Sequence, residues 1–326
     1  MNRMKRVGCA GILVKDTFCG PMPALPRAGE LVRVDAMPVM AGGCAANVAL
    51  DLARQEIAVD LAGCVGQDSA ADTLVKTIEA GGVDCRRIIR TQHHPTSETV
   101  ILLVAGEDRR YIHSFGANRA FQIGDLSRDW LAGLSIFYLG GLFALPSVRS
   151  GELRELLEFC RRHGVVTVVD VVVPAGFEDT PTLRELLPHM DWFLPNDTEA
   201  ALFTGEAKPM RALSRLREWG ARNLVITLGE TGALAAQGDQ IWECGAYHWP
   251  VVDPSGAGDA FASGVVTGLV EGWDLPQILR YASALGASAT RAVGTTAGVF
   301  HRAEALAQVA REPVPVRPVS LSSSTV

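Results

Sequence analysis

From about residue 134 onward, short apolar runs alternate with segments in which apolar residues recur every three to four positions. The apolar runs at 134–139, 165–173, 191–194 and 224–228 predict strands that are covered on both faces. Helices are predicted from Ser150, from Thr180-Pro181, and near 197–205 and 209–220. This alternation predicts an α/β fold with a doubly wound, mostly parallel sheet and helices on both faces.

The first third of the chain has a different pattern. Strands are predicted near 30–36, 99–104 and 111–115, and they place apolar side chains on both faces. Segments near 12–40 and 98–118 are therefore expected to form a small antiparallel β-sheet that acts as a lid over a substrate. The second apolar face of this lid needs its own partner, because exposed apolar strands invite edge pairing.

The remaining organisation is simple. Residues 1–312 are expected to form one domain, with the lid attached to it. Residues 313–326 are rich in Pro and then in Ser, which predicts a flexible C-terminal tail.

Composition narrows the classes of partner. The formal charge of −6 over 326 residues argues against nucleic acid as a partner, which requires clustered Lys and Arg. No apolar run approaches the ~20 residues that span a membrane. The seven cysteines are odd in number and show no Cys-x-x-Cys spacing, so they are expected to be reduced thiols. With no leader segment recognisable, the expected location is the cytoplasm.

The segment 251–266 carries the clearest chemical signal. A short apolar strand turns through small residues at Gly256, Ala257 and Gly258 and enters a helix. The unobstructed N–H groups of this turn and the helix dipole form a pocket for phosphoryl oxygens. Asp259 beside this pocket is placed to act as a general base. The alternative is a glycine turn in which Asp259 only caps the helix.

Three other segments offer polar groups near glycines or helix starts. Gly42, Gly43 and Asn47 read either as a ligand-binding turn or as a glycine turn that caps a helix. Asn196 with Glu199 is a capping box in isolation, although a helix start is also where phosphate binds. A glycine loop follows the strand at 224–228, with Thr227, Gly229 and Gly232.

Two phosphate-binding motifs are absent from the sequence. There is no Gly-x-x-x-x-Gly-Lys-Ser/Thr, which argues against a P-loop phosphotransferase, and no Gly-x-Gly-x-x-Gly after the first strand, which argues against a dinucleotide dehydrogenase. The histidines show no metal-ligand spacing.

These segments together resemble the ribokinase-like (PfkB) carbohydrate kinase family. Its C-terminal signature, Asp-Thr-x-Gly-Ala-Gly-Asp, is matched at 253–259 with Pro in place of Thr. Its double glycine followed by Asn is matched at 42–47, its Asn-x-x-Glu at 196–199, and its nucleotide loop at 227–232. The matches occur in the family's order and cover nearly the whole chain.

The resemblance implies an ATP-dependent kinase that phosphorylates a hydroxyl of a sugar or sugar-like molecule. Asp259 would be the general base, and the backbone of Gly256, Ala257 and Gly258 would form the anion hole. Further roles are implied by position: for the substrate, Asp16, Gly42, Gly43 and Asn47; for ATP, Asn196, Thr227, Gly229 and Gly232; for Mg²⁺ through water, Glu199; for K⁺, Asp253 and Ser255 with the loop near Arg291. Lids of this family often pack together, so a homodimer is expected.

Some positions depart from the family pattern and leave alternatives open. Ribokinases often have Lys where this chain has Cys44, which puts ribose itself in doubt. Gln55-Glu56 replaces the usual Leu-Gly, and the loop from Arg291 to Gly294 is one residue longer. A nucleoside kinase is the main alternative, with Phe18, Phe115 or Tyr111 against the base. A sugar-binding protein that has lost catalysis is the other.

Overall fold

The structure, a computed structural model, describes residues 5–107, 109–174 and 176–320. In chain order the strands are β1 Arg6–Gly11, β2 Val14–Met22, β3 Val39–Gly42, β4 Ala58–Gly66, β5 Asp84–Thr91, β6 Glu98–Val104, β7 Arg110–Ser114, β8 Ile136–Gly140, β9 Val166–Val169, β10 Trp192–Phe193, β11 Asn223–Thr227, β12 Ala233–Gln237, β13 Gln240–Cys244 and β14 Val316–Val319. The helices are α1 Cys44–Arg54, α2 Ser69–Ala80, α3 Arg128–Gly133, α4 Ser150–Arg162, α5 Thr180–Leu186, α6 Asp197–Thr204, α7 Pro209–Glu218, α8 Ala257–Glu271, α9 Leu275–Ala289 and α10 Arg302–Arg311.

A large sheet of ten strands forms the centre of the molecule. Its order is β14-β13-β12-β11-β10-β9-β8-β1-β4-β5. The pairs from β11 through β5 are parallel, and the pairs from β11 to β14 are antiparallel. The predicted doubly wound, mostly parallel sheet is confirmed.

Both faces of the central strands of this sheet are buried, as the continuous apolar runs predict, whereas the edge strands β5 and β14 are largely exposed. Along β8, Ile136 and Tyr138 pack into the hydrophobic core on one side of the sheet, and Phe137 and Leu139 pack into the core on the other. All five residues of β8 are buried. The alternation of side chains along a strand thus divides the interior into two layers.

The predicted strand at 165–173 is shorter in the structure. β9 ends at Val169, and residues 170–174 have no strand structure. On one side β9 pairs with β10, which is only two residues long and reaches no further than Val169. The apolar composition of 171–173 therefore indicates burial but not strand pairing, and Asp170 lies at the carboxyl end of the strand.

The small sheet predicted as a lid is present, with differences in detail. Its order is β3-β2-β6-β7, and β2 and β6 are parallel while the other two pairs are antiparallel, so the sheet is mixed. The strand predicted near 30–36 is wrong, and the strand of this region is β3. Because β3 and β6 already occupy both edges of β2, the segment at 30–36 has no strand edge beside β2, and Leu31 is 87% exposed.

The register of the small sheet assigns its side chains to two faces. One row across the four strands is formed by Met40, Asp16, Thr99 and His113, and the face that carries it is called here the inner face. The next row is formed by Val39, Thr17, Val100 and Ile112, on what is called here the outer face. Asp16 and Thr99 are buried, whereas Val39, Val100 and Ile112 are exposed.

The predicted flexible tail is wrong for the part that the structure describes. Val314 is buried, and β14 pairs antiparallel with β13 at the edge of the large sheet. The prolines of this segment argue against a central strand, but Pro318 is tolerated because an edge strand leaves part of its N–H groups unpaired. Residues 321–326 lie outside the described residues.

Over residues 5–107, 109–174 and 176–320, no helix combines the length and the apolar character needed to cross a membrane.

Candidate active site

The start of α8 is built on a glycine that no other residue can replace without strain. Gly256 has φ of 77°, in the left-handed region, and a Cβ added there would overlap the carbonyl group of Thr295. A Cβ added at Gly258, in the first turn of α8, would meet nothing within 4 Å. The first N–H groups of a helix have no partner within the helix. The N–H of Ala257 donates to the carbonyl of Pro254 at 3.4 Å, and the turn presents its other backbone donors at an accessible surface, as an anion hole requires.

Asp253 ties this turn to the late loop of the chain. One of its carboxylate oxygens accepts from the N–H of Ser255 at 3.0 Å, and the other accepts from the N–H of Gly294 at 2.9 Å. The hydroxyl oxygen of Ser255 is buried and has no hydrogen-bond partner among the described residues. The geometry of the turn thus depends on the loop that contains Arg291.

Asp259 lies in the first turn of α8 and is held by α1. Asn47 donates from Nδ2 to the Asp259 carboxylate at 2.7 Å. The oxygen of the same amide accepts from the Thr295 hydroxyl at 2.9 Å, so the amide orientation is determined by both partners. The sequence motif assigns Asn47 to the substrate; the structure adds that it orients the carboxylate of Asp259.

The two glycines before α1 allow Asp16 of the lid and the backbone at Ile12 to pack closely against them. A Cβ at Gly42 would overlap the carboxylate of Asp16, and a Cβ at Gly43, with φ of 89°, would overlap the carbonyl of Ile12. Asp16, on the inner face of the lid, is therefore packed directly against the glycine pair. The sequence placed Asp16 in the site only by its spacing, and the structure brings the two segments together.

Two residues that the sequence reasoning did not assign to the site lie beside Asp259. The Cys44 sulfur and a carboxylate oxygen of each of Asp170 and Asp259 lie within 4.8 Å of one another. The hydroxyl of Tyr138 donates to Asp170 at 3.0 Å. The sequence could have assigned Asp170 to the site, because an acid at the carboxyl end of a parallel strand faces the crevice in which ligands of open α/β sheets bind.

The carboxyl groups of the site have raised pKa values. Burial raises the pKa of Asp16 to about 7, with a further contribution from Asp259, while a hydrogen bond from Thr99 opposes the shift. Burial also raises the pKa of Glu199 to about 7. For Asp259, burial raises the pKa, and hydrogen bonds from Asn47 and Cys44 oppose it. Burial therefore disfavours the ionised form of all three groups, which a nearby cation would stabilise.

The nucleotide-binding candidates meet at the ends of two adjacent strands. Asn196 forms an isolated parallel bridge with Thr227, whose N–H donates to the carbonyl of Pro195 at 3.1 Å. The predicted capping box is confirmed: Asn196 Oδ1 accepts from the N–H of Glu199 at 2.8 Å, and Glu199 accepts from the N–H of Asn196 at 2.9 Å.

Gly229 and Gly232 enclose a short 3-10 turn directly after β11. Their φ angles are 57° and 112°, and the carbonyl of Gly232 accepts from the N–H of Leu228 at 2.8 Å. The loop therefore folds back on itself at the same edge of the sheet as α6, and its backbone can lie along an extended ligand.

This combination of fold and site has a match among known proteins. The model of the pfkB family of carbohydrate kinases matches residues 4–301. The chain therefore belongs to the pfkB family of carbohydrate kinases, and the resemblance seen in its sequence motifs is confirmed.

The individual relatives share less than a third of their residues with this chain. The chain is 27% identical over 280 residues to the deoxyribokinase of Salmonella typhi, which covers 83% of this chain and 88% of the relative. It is 28% identical over 284 residues to the 2-dehydro-3-deoxygluconokinase of Bacillus subtilis, with 83% and 87% covered. The fructokinase of Xylella fastidiosa with bound ATP has the same fold, with a TM-score of 0.81 and 21% identity over 95% of this chain and 99% of that one.

Proposed function

We propose that this kinase transfers the γ-phosphoryl group of ATP to a hydroxyl of a sugar or sugar-like molecule, with Asp259 as general base. The observation that carries the proposal is the hydrogen bond of Asp259 with Asn47. It joins the anion-hole turn of α8 to the helix that begins at the glycine pair against which Asp16 is packed. A base, an anion hole and a hydroxyl-binding acid thus converge on one region.

The chemistry follows from these positions. Asp16 accepts hydrogen bonds from substrate hydroxyls and orients the sugar, with the backbone of Gly42 and Gly43 beside it. Asp259 accepts the proton of the attacking hydroxyl, while Asn47 keeps its carboxylate aimed. The N–H groups of the first turn of α8 donate to the phosphoryl oxygens as negative charge develops there.

ATP is proposed to lie along Asn196, Thr227, Gly229 and Gly232, with Mg²⁺ held through water by Glu199. The donor set fits this cation, because Mg²⁺ prefers oxygen ligands and retains several waters. Burial raises the pKa of Glu199, and one of its carboxylate oxygens accepts from the N–H of Asn196. When bound, Mg²⁺ neutralises charge on the phosphates.

The proposed function is tested with a panel of sugars and nucleosides and ATP, with ADP release as the readout. We expect turnover with at least one neutral sugar, and turnover lower by at least ~10²-fold with the Asp259→Asn variant. A nucleoside is the second candidate because Tyr111, in the next row on the inner face of the lid, is 54% exposed and can meet a nucleobase, whereas Phe18 of the same row is buried. Release of ADP with no member of the panel favours a sugar-binding protein without catalysis.

The affinity for the sugar is expected to depend on Asp16 ionisation. An ionised carboxylate accepts hydrogen bonds from two hydroxyls with both oxygens, whereas protonation makes one oxygen a donor and weakens the group as an acceptor. Burial raises the pKa of Asp16 to about 7. The sugar Kd should therefore rise as pH falls below about 7, and level off above it. Binding is measured by titration in the wild type and in Asp259→Asn, which removes the titration of the base. Because Asp259 helps to raise the pKa of Asp16, the dependence in Asp259→Asn should lie at a lower pH than in the wild type.

Two variants check that assignment. Asp16→Asn should weaken binding and abolish this pH dependence. Thr99→Val removes the hydrogen bond that lowers the pKa of Asp16, so it should move the dependence to higher pH. An unchanged pH profile in Thr99→Val would show that another group titrates.

A monovalent cation is proposed beside the anion-hole turn. The buried, unpartnered hydroxyl oxygen of Ser255 and the carboxylate of Asp253 offer oxygen ligands there. A bound K⁺ would stiffen the turn, so turnover is expected to rise when K⁺ replaces tetramethylammonium at equal ionic strength, by up to the ~10²-fold value of one anion-hole donor. Ser255→Ala should reduce this activation, and equal rates in both salts would contradict the site.

A homodimer joined through the lids is proposed from the outer face of the small sheet. Seven of the twelve exposed large apolar side chains of the described residues belong to the lid strands or to the segment between β2 and β3. Of these, Val39, Val100 and Ile112 form one row on the outer face, Tyr111 lies on the inner face, and Leu25, Leu31 and Met37 lie in the segment between β2 and β3. A surface of this kind marks an interaction site.

We expect twice the 34.8 kDa chain mass in solution at micromolar concentration. Ile112 is 63% exposed on the outer face, so Ile112→Asp should shift the mass to that of the monomer. Leu306, 41% exposed on α10, provides the matched control Leu306→Asp, which should leave the dimer intact. A monomer at all concentrations would exclude this assembly while leaving the catalytic proposal untouched.

A further inference from the structure

A thiol belongs to the immediate surroundings of Asp259. Cys44 is the first residue of α1, and the left-handed φ of Gly43 turns the chain into the helix at this point. Its sulfur lies within 4.8 Å of a carboxylate oxygen of Asp259 and of one of Asp170. The three residues come from α1, from the end of β9 and from α8, so only the tertiary fold assembles them.

The electrostatics of this trio favour a cation. Burial is the largest cause that raises the pKa of Cys44 and of Asp170. The charge of Asp259 adds to both shifts, and the charge of Asp170 adds to that of Cys44. One divalent ion would satisfy all three groups at once.

The donor set selects the kind of ion. A thiolate is a soft ligand that Mg²⁺ and Ca²⁺ avoid, whereas Zn²⁺ takes Cys sulfur and Asp oxygen readily. Three protein ligands and one water make a four-coordinate Zn²⁺ site, with Zn–S of ~2.3 Å and Zn–O of ~2.0–2.2 Å. These lengths require the three ligand atoms to be ~3.3–3.8 Å apart. Since they already lie within 4.8 Å of one another, side-chain rotations that move them by about 1 Å suffice.

Asp170 already has the support that metal ligands usually have. The hydroxyl of Tyr138 donates to its Oδ2 at 3.0 Å and holds the carboxylate in place. Hydrogen bonds of this kind orient metal-binding carboxylates, and their loss commonly lowers metal affinity ~10–100-fold. The Asp170 carboxylate is thus already oriented for metal binding, and the Cys44 thiol lies beside it.

We propose that Cys44, Asp170 and Asp259 form a binding site for a thiophilic divalent cation such as Zn²⁺, and that this ion inhibits the enzyme. On binding, the Cys44 thiol loses its proton to solvent, and the ion takes the oxygen lone pairs of Asp259. Asp259 can then no longer accept the hydroxyl proton of the substrate. The inhibitory consequence rests on the proposed function, whereas the binding itself does not.

The binding is tested with Co²⁺, which reports thiolate coordination by a sulfur-to-metal charge-transfer band in the near ultraviolet. We expect this band in the wild-type protein, its displacement by Zn²⁺, and its loss in Cys44→Ser. Cys19, half-buried on β2, provides the matched control Cys19→Ser, which should keep the band. A wild-type protein without the band, or a band that survives in Cys44→Ser, overturns the site.

The inhibition is tested separately, at saturating Mg²⁺ and ATP, with the rate of each variant compared to its own rate without Zn²⁺. The Zn²⁺ concentration for half inhibition should rise at least about tenfold in Cys44→Ser and in Asp170→Asn, as expected for loss of a ligand. Equal sensitivity of wild type and Cys44→Ser would overturn the inhibitory role. A charge-transfer band in a protein inactive on every substrate would instead uphold the metal site and count against the kinase proposal.

Discussion

Asp259→Asn is expected to lower kcat by at least ~10²–10⁴-fold, the usual contribution of a general base. The amide has nearly the shape of the carboxylate but cannot accept the proton of the attacking hydroxyl. ATP binds along other residues, so its affinity should change little. The measurement is steady-state turnover with the sugar identified by the panel, together with ATP binding by calorimetry.

The control for this variant is Asp239→Asn, the same change at a fully exposed position. It should retain wild-type turnover. Because burial raises the pKa of Asp259, the wild-type kcat should also fall with decreasing pH at values above the ~4 of an ordinary Asp. Near wild-type turnover in Asp259→Asn would remove this residue from the role of base.

Gly256→Ala is expected to lower kcat by ~10²–10³-fold, the loss that follows removal of an oxyanion-hole donor. The added methyl group would overlap the Thr295 carbonyl, and the left-handed φ of 77° is unfavourable for Ala. The turn must shift, and its N–H groups move with it. Thr295 also bonds Asn47, so the orientation of Asp259 is disturbed at the same time.

Two comparisons separate this effect from unfolding. Gly151→Ala makes the same change in α4, where the added Cβ meets nothing within 4 Å, and should leave both turnover and thermal stability close to wild type. Thermal unfolding of Gly256→Ala shows whether the fold persists. A folded Gly256→Ala variant with wild-type kcat would contradict the anion-hole assignment.

Much of the fold was readable from local patterns. The alternation of apolar runs with helical periodicity predicted the doubly wound sheet, because a buried parallel strand needs apolar side chains on both faces. The capping box at Asn196 and Glu199 was also predictable, because its hydrogen bonds join residues only three positions apart in the sequence. The predictions of strands were wrong where pairing with a neighbouring strand, and not local composition, decides whether a segment is a strand. The segment at 30–36 has strand-like composition but no free edge of β2, and 316–319 has prolines yet pairs at an edge.

The sequence by itself determined the family and the order of the motifs, since Gly256, Gly258 and Asp259 form a contiguous pattern whose chemistry depends on local backbone geometry. Only the tertiary structure decided what surrounds Asp259. Asn47 precedes it by 212 positions, yet their side chains lie 2.7 Å apart. Cys44 and Asp170 join it from a helix start and a strand end that packing alone brings together. Charges, pKa values and cation sites depend on such distances through space, which spacing along the chain does not contain.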